Sequence, residues 1–204
     1  DYLDRFPGGR LAYKILDRML SDRAVSLPSH EGSIEEIVYV PGRELFVVAG
    51  LEGRVRVHRA SDGELWREFD LGDDSSVRAL AVSPDGNLLA VGKGAKPDRV
   101  GKVSNDVLFM SLDDRPTPAP LFDYPASIEK LQFAPDRERL AVGTRYESLE
   151  IIDLNDASPV TIASTRRSED LAFSSDGSQV LLTPEIGLLR ICDSRTGETV
   201  KEFD

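Results

Sequence analysis

The side chains best placed to do chemistry cluster between Lys93 and Ser104, where Lys93, Lys96, Arg99 and Lys102 share a short stretch with one acid, Asp98. Four cations so close together reverse the local sign of a chain whose formal net charge is −11. Such a group suits an acidic protein surface, because opposite charge steers encounter and fixes register. It is not a phosphate cradle. Gly94 and Gly101 stand too far apart for that motif, Val103 takes the place of a magnesium-binding Ser or Thr, and no strand-to-helix step follows. The acid excess elsewhere argues against general nucleic-acid binding, which draws its affinity from cations meeting phosphates.

The remaining reactive residues form no constellation. His30 and His58 are the two histidines and Cys192 the one cysteine. Metals need several convergent nitrogen, sulfur or oxygen ligands, so no metal site and no cofactor is expected. An imidazole bonded to a carboxylate can perform acid–base chemistry. Here, however, no serine sits in a nucleophile elbow and no Ser/His/Asp order is present. Carboxylates such as Glu31, Glu35, Glu36, Asp113 and Asp114 fall in turns and alternate strand positions, where they keep an edge soluble. The expectation is a protein that is not an enzyme. A single cysteine rules out an internal disulfide and suits a reducing, cytoplasmic compartment. No apolar run approaches the roughly 20 residues of a membrane helix, so no membrane partner is expected.

A basic loop needs a rigid frame, and the stretch Ser76 to Gly92 shows what the frame is. Two apolar runs, Val77 to Val82 and Leu88 to Val91, flank Ser-Pro-Asp-Gly, which reads as strand, tight turn and antiparallel strand. Proline presets φ at the first corner, aspartate bonds back to the backbone, and glycine takes the positive φ that a Cβ resists. The signal recurs at positions 41, 84, 135 and 175, with spacings of 43, 51 and 40.

A second landmark follows each turn: the alternating runs Val55 to His58, Val107 to Met110, Leu149 to Ile152 and Leu189 to Cys192. Turn and run end lie 17, 26, 17 and 17 residues apart, so the second unit carries an insertion of nine residues, and the basic loop lies in it. After each run comes a turn such as Asp62-Gly63-Glu64 and a short strand such as Leu65 to Phe69 or Thr199 to Phe203. Each unit is thus expected to hold four antiparallel strands, a to d. One such sheet cannot bury both faces alone, so the units should stack radially as blades of a β-propeller. Trp66, on an outer strand d, is expected to pack against a blade face.

The pattern resembles the WD-repeat β-propeller family over nearly the whole chain. The family's Trp-Asp pair falls at His58-Arg59, Met110-Ser111, Ile152-Asp153 and Cys192-Asp193, with aspartate kept twice and tryptophan absent. The Gly-His pair before strand a survives approximately as Ser29-His30. The resemblance implies that His30 and Glu52 belong to a structural hydrogen-bond network. It also implies a scaffold for protein–protein interaction.

The domain expected is one partial propeller over 1–204: blades at 29–70, 71–123 (with the inserted b–c loop 93–104), 124–164 and 165–204, preceded by residues 1–28. That first segment reads either as half a blade, since counting back from His58 lands on Leu16-Asp17, or as a helix, since Leu11, Ile15, Met19 and Leu20 have helical spacing. Four blades and a half fall short of the seven or so that the resembling family closes with, so open blade edges are expected to pair with another protein or with a second copy. In an up-and-down blade the b–c and d–a connections share a face. Lys93, Lys96, Arg99 and Lys102 therefore join Tyr124, Arg145, Tyr146, Arg166 and Arg167 as candidate binding residues. An accessory propeller attached to a hydrolase or other enzyme is the alternative reading.

Overall fold

Strand boundaries follow the turn chemistry. In a computed structural model, the described residues are 32–72, 76–94, 105–117, 119–121, 124–145, 148–164, 170–185 and 187–203; the segment 1–28 and His30 lie outside them. The first unit is β1 (Ile34–Tyr39), β2 (Leu45–Gly50), β3 (Arg54–Arg59) and β4 (Leu65–Asp70). The second is β5 (Ser76–Val82), β6 (Leu88–Gly94) and β7 (Val107–Ser111). The third is β8 (Ile128–Phe133), β9 (Arg139–Thr144), β10 (Ser148–Asp153) and β11 (Pro159–Ser164). The fourth is β12 (Leu171–Phe173), β13 (Gln179–Glu185), β14 (Leu188–Asp193) and β15 (Thr199–Phe203). All pairings are antiparallel between strands consecutive in sequence, and the described residues contain no helix.

The second unit departs from the four-strand expectation, because its sheet stops at β7. Among the described residues, the returning chain meets β7 at Leu121, whose N–H and C=O bond with Val107 at 3.0 and 2.9 Å. The cause is local. Pro116 and Pro120 each hold φ near −65°, away from the more extended backbone of a ladder, and pairing begins at Leu121, directly after Pro120.

Alternation on the strands gives the units apolar faces, and consecutive units pack these against one another. Val47, Ala49, Val55 and Val57 of the first unit pack on Val77, Leu80, Leu89 and Val91 of the second. The second meets the third through Ala90, Val107 and Phe109 against Ile128, Leu140 and Val142. Ala141, Leu149 and Ile151 of the third meet Val180, Leu182 and Cys192 of the fourth. Three seams thus join four sheets face to face. β1 lies beside β5 and β5 beside β8, so the first strand of each sheet is innermost. This is the radial stacking of propeller blades.

Close approach at the seams explains particular glycines. A Cβ on Gly92 would stand 2.6 Å from Ile128 Cγ2 of the next blade, and one on Gly86 2.3 Å from the Pro41 carbonyl of the previous blade. Cys192 is fully buried in the last seam, and burial pushes its thiol pKa up, as suits an inert packing residue. Trp66 differs from expectation: it is 45% exposed on the outermost strand, with the Arg67 guanidinium 5.8 Å from its ring. Strand d is the edge of its sheet, so a side chain there has a neighbour on one side only.

Candidate interaction face

The basic insertion springs from a fixed base. β6 ends in Lys93-Gly94 and β7 begins after Asn105-Asp106, and the Lys93 N–H donates to the Asp106 carbonyl at 2.8 Å. Lys93 Nζ also stands 3.7 Å from Asp106 Oδ2, with both side chains largely covered. Lys93 therefore anchors the loop's stem, while Lys96, Arg99 and Lys102 lie outside the described residues. The Gly94 carbonyl accepts from Ser76 Oγ at 2.7 Å. A Cβ on Gly94 would come within 3.0 Å of Arg78 and Ser127, so the stem is pressed against the third blade.

Tyr124 and Arg145 lie on the same side. The Tyr124 N–H donates to the Asn105 carbonyl at 3.1 Å, and Asn105 Nδ2 returns a bond to the Tyr124 carbonyl at 3.2 Å. Burial, with a smaller push from Glu150, drives the Tyr124 phenol well above its ordinary range, so it remains a neutral donor. The Arg145 N–H donates to the Ser127 carbonyl at 2.9 Å and its side chain is exposed. The described part of the expected basic face thus brings Lys93, Tyr124 and Arg145 onto the b–c and d–a connections of blades two and three. Tyr146, Arg166 and Arg167 lie outside the described residues.

The innermost strands carry a feature that the sequence reading missed. Glu36, Glu129, Lys130, Gln132 and Asp170 line a cleft of about 220 Å³, floored by Ala79, Leu80, Leu131 and Leu171. Lys130 Nζ lies 3.6 Å from Asp170 Oδ1, which ties the third blade to the fourth. Burial raises the Glu36 pKa and Lys130 partly opposes it. The signal was available: Glu36, Ala79, Lys130 and Asp170 each stand five residues before the turn positions 41, 84, 135 and 175. One position of the repeat is thus read out four times, and three of the four residues are charged.

Glu52 has a partner that the family resemblance did not supply. Its carboxylate accepts from Arg56 Nη1, and Arg56 Nε donates to Glu68 Oε2 at 2.6 Å. Arg56 and Glu52 are both almost fully covered, so this is a structural ion group on the first blade. His58 is also buried, stacked 5.3 Å from the Phe46 ring with Nδ1 3.0 Å from the Gly63 carbonyl. Among the described residues, no three His, Cys, Asp or Glu side chains come together as metal ligands.

Comparison with known proteins agrees with this architecture. Residues 18–113 match the family model of the anaphase-promoting complex subunit 4 WD40 domain. The fold is similar to that of the β-propeller domain of Cps50 (Swd1) from Myceliophteria thermophila, with a TM-score of 0.70 at 14% identity. That similarity covers 88% of this chain and 57% of the other, so this chain spans little more than half of the propeller it matches. Radially stacked antiparallel sheets and the structural likeness together give the chain a β-propeller fold, and its first half is similar to a WD40 domain.

Proposed function

We propose that the chain is a non-catalytic scaffold that presents the face of its b–c and d–a connections to an acidic protein partner. WD-repeat propellers are typically protein-interaction scaffolds, which supports the general role. The single observation that carries the specific one is the inserted b–c connection. Its stem is fixed by the Lys93–Asp106 pair, and Lys96, Arg99 and Lys102 fall within the insertion in sequence. A rigid stem lowers the entropy lost when a loop is captured.

Replacing Lys96, Arg99 and Lys102 together with serine, and leaving Lys93 to hold the stem, should weaken partner capture in a cell-extract pull-down by at least about tenfold at physiological salt. Circular dichroism and thermal melting should stay as in the wild type. Undiminished recovery of every partner by a folded triple variant would remove the basic loop from this reading.

A further inference from the structure

The repeat allows the outer half of one seam to be compared with that of the next. On strand d, two side chains spaced two residues apart face the following blade: Phe69 and Arg67 in the first blade, Ile162 and Val160 in the third. Phe69 packs into the first seam. Arg67 crosses it to the Ser111 carbonyl at 3.1 Å and to Asp114 Oδ1 at 2.6 Å, where strand c ends and turns. In the second blade Leu121, paired with Val107, takes the place of Phe69, which pairs with Val55. Counting back two residues puts Ala119 at the position of Arg67 and Val160. Alanine is too short to cross a seam, and Ala119 is exposed. Here the outer half of the second seam is open. A groove of about 390 Å³ runs between Pro120, Leu121 and Tyr124 of the second blade's return and Glu150, Ile152 and Pro159 of the third blade.

The groove offers two kinds of contact in a fixed order. Ile152, Pro159 and Pro120 make one part of it apolar. Glu150 lies two residues before Ile152 on the same strand and supplies a carboxylate beside the Tyr124 phenol. Glu150 is partly buried, and among the described residues no cation pairs with it. A carboxylate held partly out of water without a counter-charge favours the approach of a cation. Alternate side chains of an extended chain stand on one face about 6.5–7 Å apart, so an extended segment laid along the groove can meet Ile152 and Glu150 with two of its own. We propose that this groove binds an extended segment of a partner protein, seating a large aliphatic or aromatic side chain against Ile152 and Pro159 and a Lys or Arg two residues away against Glu150. The segment supplies the side chain that Arg67 and Val160 supply at the other two seams, and the two seats select its sequence. This adds a second contact surface to the scaffold reading and makes no use of the basic loop.

The test pans a random-peptide display library on the 204-residue chain. The peptides recovered are expected to share a large apolar residue and a Lys or Arg at a spacing of two. Ala119→Ile, which fills the vacant seat from the chain itself, should weaken their binding by at least about tenfold. Glu150→Lys should lose the same peptides and select ones with Asp or Glu at the second position. The serine variant of Lys96, Arg99 and Lys102 should retain them, so failure here is distinct from failure of the basic loop. Recovery of no peptide, recovery of peptides without the spaced pair, or equal binding by the wild type and both groove variants would each overturn the proposal. So would a chain that sediments as a dimer and is made monomeric by Ala119→Ile, because a second copy would then be the occupant.

Discussion

The two ends of the propeller follow different rules. At one end the a–b connections occupy residues 40–44, 83–87, 134–138 and 174–178, all of the same length. At the other the b–c connections occupy 51–53, 95–106, 145–147 and 186–187, and their lengths vary severalfold. At the uniform end an arginine bonds across each of the three seams. Arg43 donates to the Leu112 carbonyl at 2.9 Å and to Asn87 Oδ1 at 2.6 Å across the first seam. Arg137 reaches Asp85 across the second at 3.3 Å. Arg139 donates across the third to Ser194 Oγ at 2.5 Å and to the Gly177 carbonyl at 2.9 Å. A turn that must meet a partner on the next blade cannot change length without breaking the seam. The opposite end has no such uniform length, and there the chain can carry an insertion and a charge pattern of its own.

The largest effect that separates the two ends should come from Gly86. Its Cβ would meet the Pro41 carbonyl at 2.3 Å, and its φ is +71°. Gly86→Ala should therefore cost on the order of 3 kcal/mol, seen as a fall in denaturation midpoint. Gly187, on the b–c connection of the fourth blade, has φ +82°, and a Cβ there would meet nothing within 4 Å. Gly187→Ala should cost only about 1 kcal/mol, the penalty of the left-handed backbone alone. Equal losses would show that contact between blades is not what constrains the uniform end.

Arg139 comes next. It is 6% exposed and bonds Asp136, Ser194 and the Gly177 carbonyl at once. Arg139→Met keeps most of the volume and removes the guanidinium from Asp136, Ser194 and the Gly177 carbonyl, the last keeping its bond from Ser194 Oγ, at a cost of about 2–4 kcal/mol. Arg59→Met, by contrast, removes a guanidinium paired with Asp62 and Glu64 at an exposed site and should cost less than about 1 kcal/mol. Urea titrations of the two variants measure the difference. A loss at Arg139 no greater than at Arg59 would sink the view that it latches a seam.

The turn carboxylates predict how the same end responds to acid. Bonding from Ser83, with smaller help from Asn87 and Arg137, holds the Asp85 pKa below its usual value despite partial burial. For Asp136 burial works upward, but the bonds and charge of Arg139 together with the Glu138 N–H more than offset it, leaving the pKa lowered. Bonds from Ser174 and Ser178 take Asp176 down to about 2. Each native pKa lies below its unfolded counterpart, so this stabilisation is complete above about pH 4 and fades as pH falls through the native values. Stability measured in urea from pH 5 to pH 2.5 should decline, and Asp85→Asn should flatten part of that slope. An unchanged slope in the variant would show that Asp85 contributes nothing to it.

These contacts also show what could be read from the chain alone. Turn signals near positions 41, 84, 135 and 175 set the unit length, and the alternation around them marked the strands, because both obey local rules. The inserted connection was legible as a departure from equal spacing. What escaped depended on residues far apart in sequence. Arg139 looks like any charged strand residue until Ser194 is placed beside it, and Arg56 looks solvent-facing although Glu52 and Glu68 enclose it. The lost strand d of the second blade was visible as Pro116, Pro118 and Pro120, but the equal-unit pattern masked it. The channel cleft was missed for the opposite reason: Glu36, Lys130 and Asp170 read as ordinary edge charges until the fold turns strand a inward.

The smallest effect tests whether the shared turn frame is set by the backbone or by the side chain. Arg137 adopts φ +68° at the position where the second and fourth blades place Gly86 at +71° and Gly177 at +70°. A residue with a Cβ loses about 1 kcal/mol there relative to glycine. Its bond to Asp85 is half exposed and returns only a few tenths of a kcal/mol. Arg137→Gly should therefore stabilise the protein by about 0.5 kcal/mol, an increase in urea midpoint with no change in slope. A decrease would mean that the Arg137–Asp85 link across the second seam outweighs the strain of holding an arginine in a glycine conformation, and that even the weakest of the three arginine contacts helps to fix the uniform end.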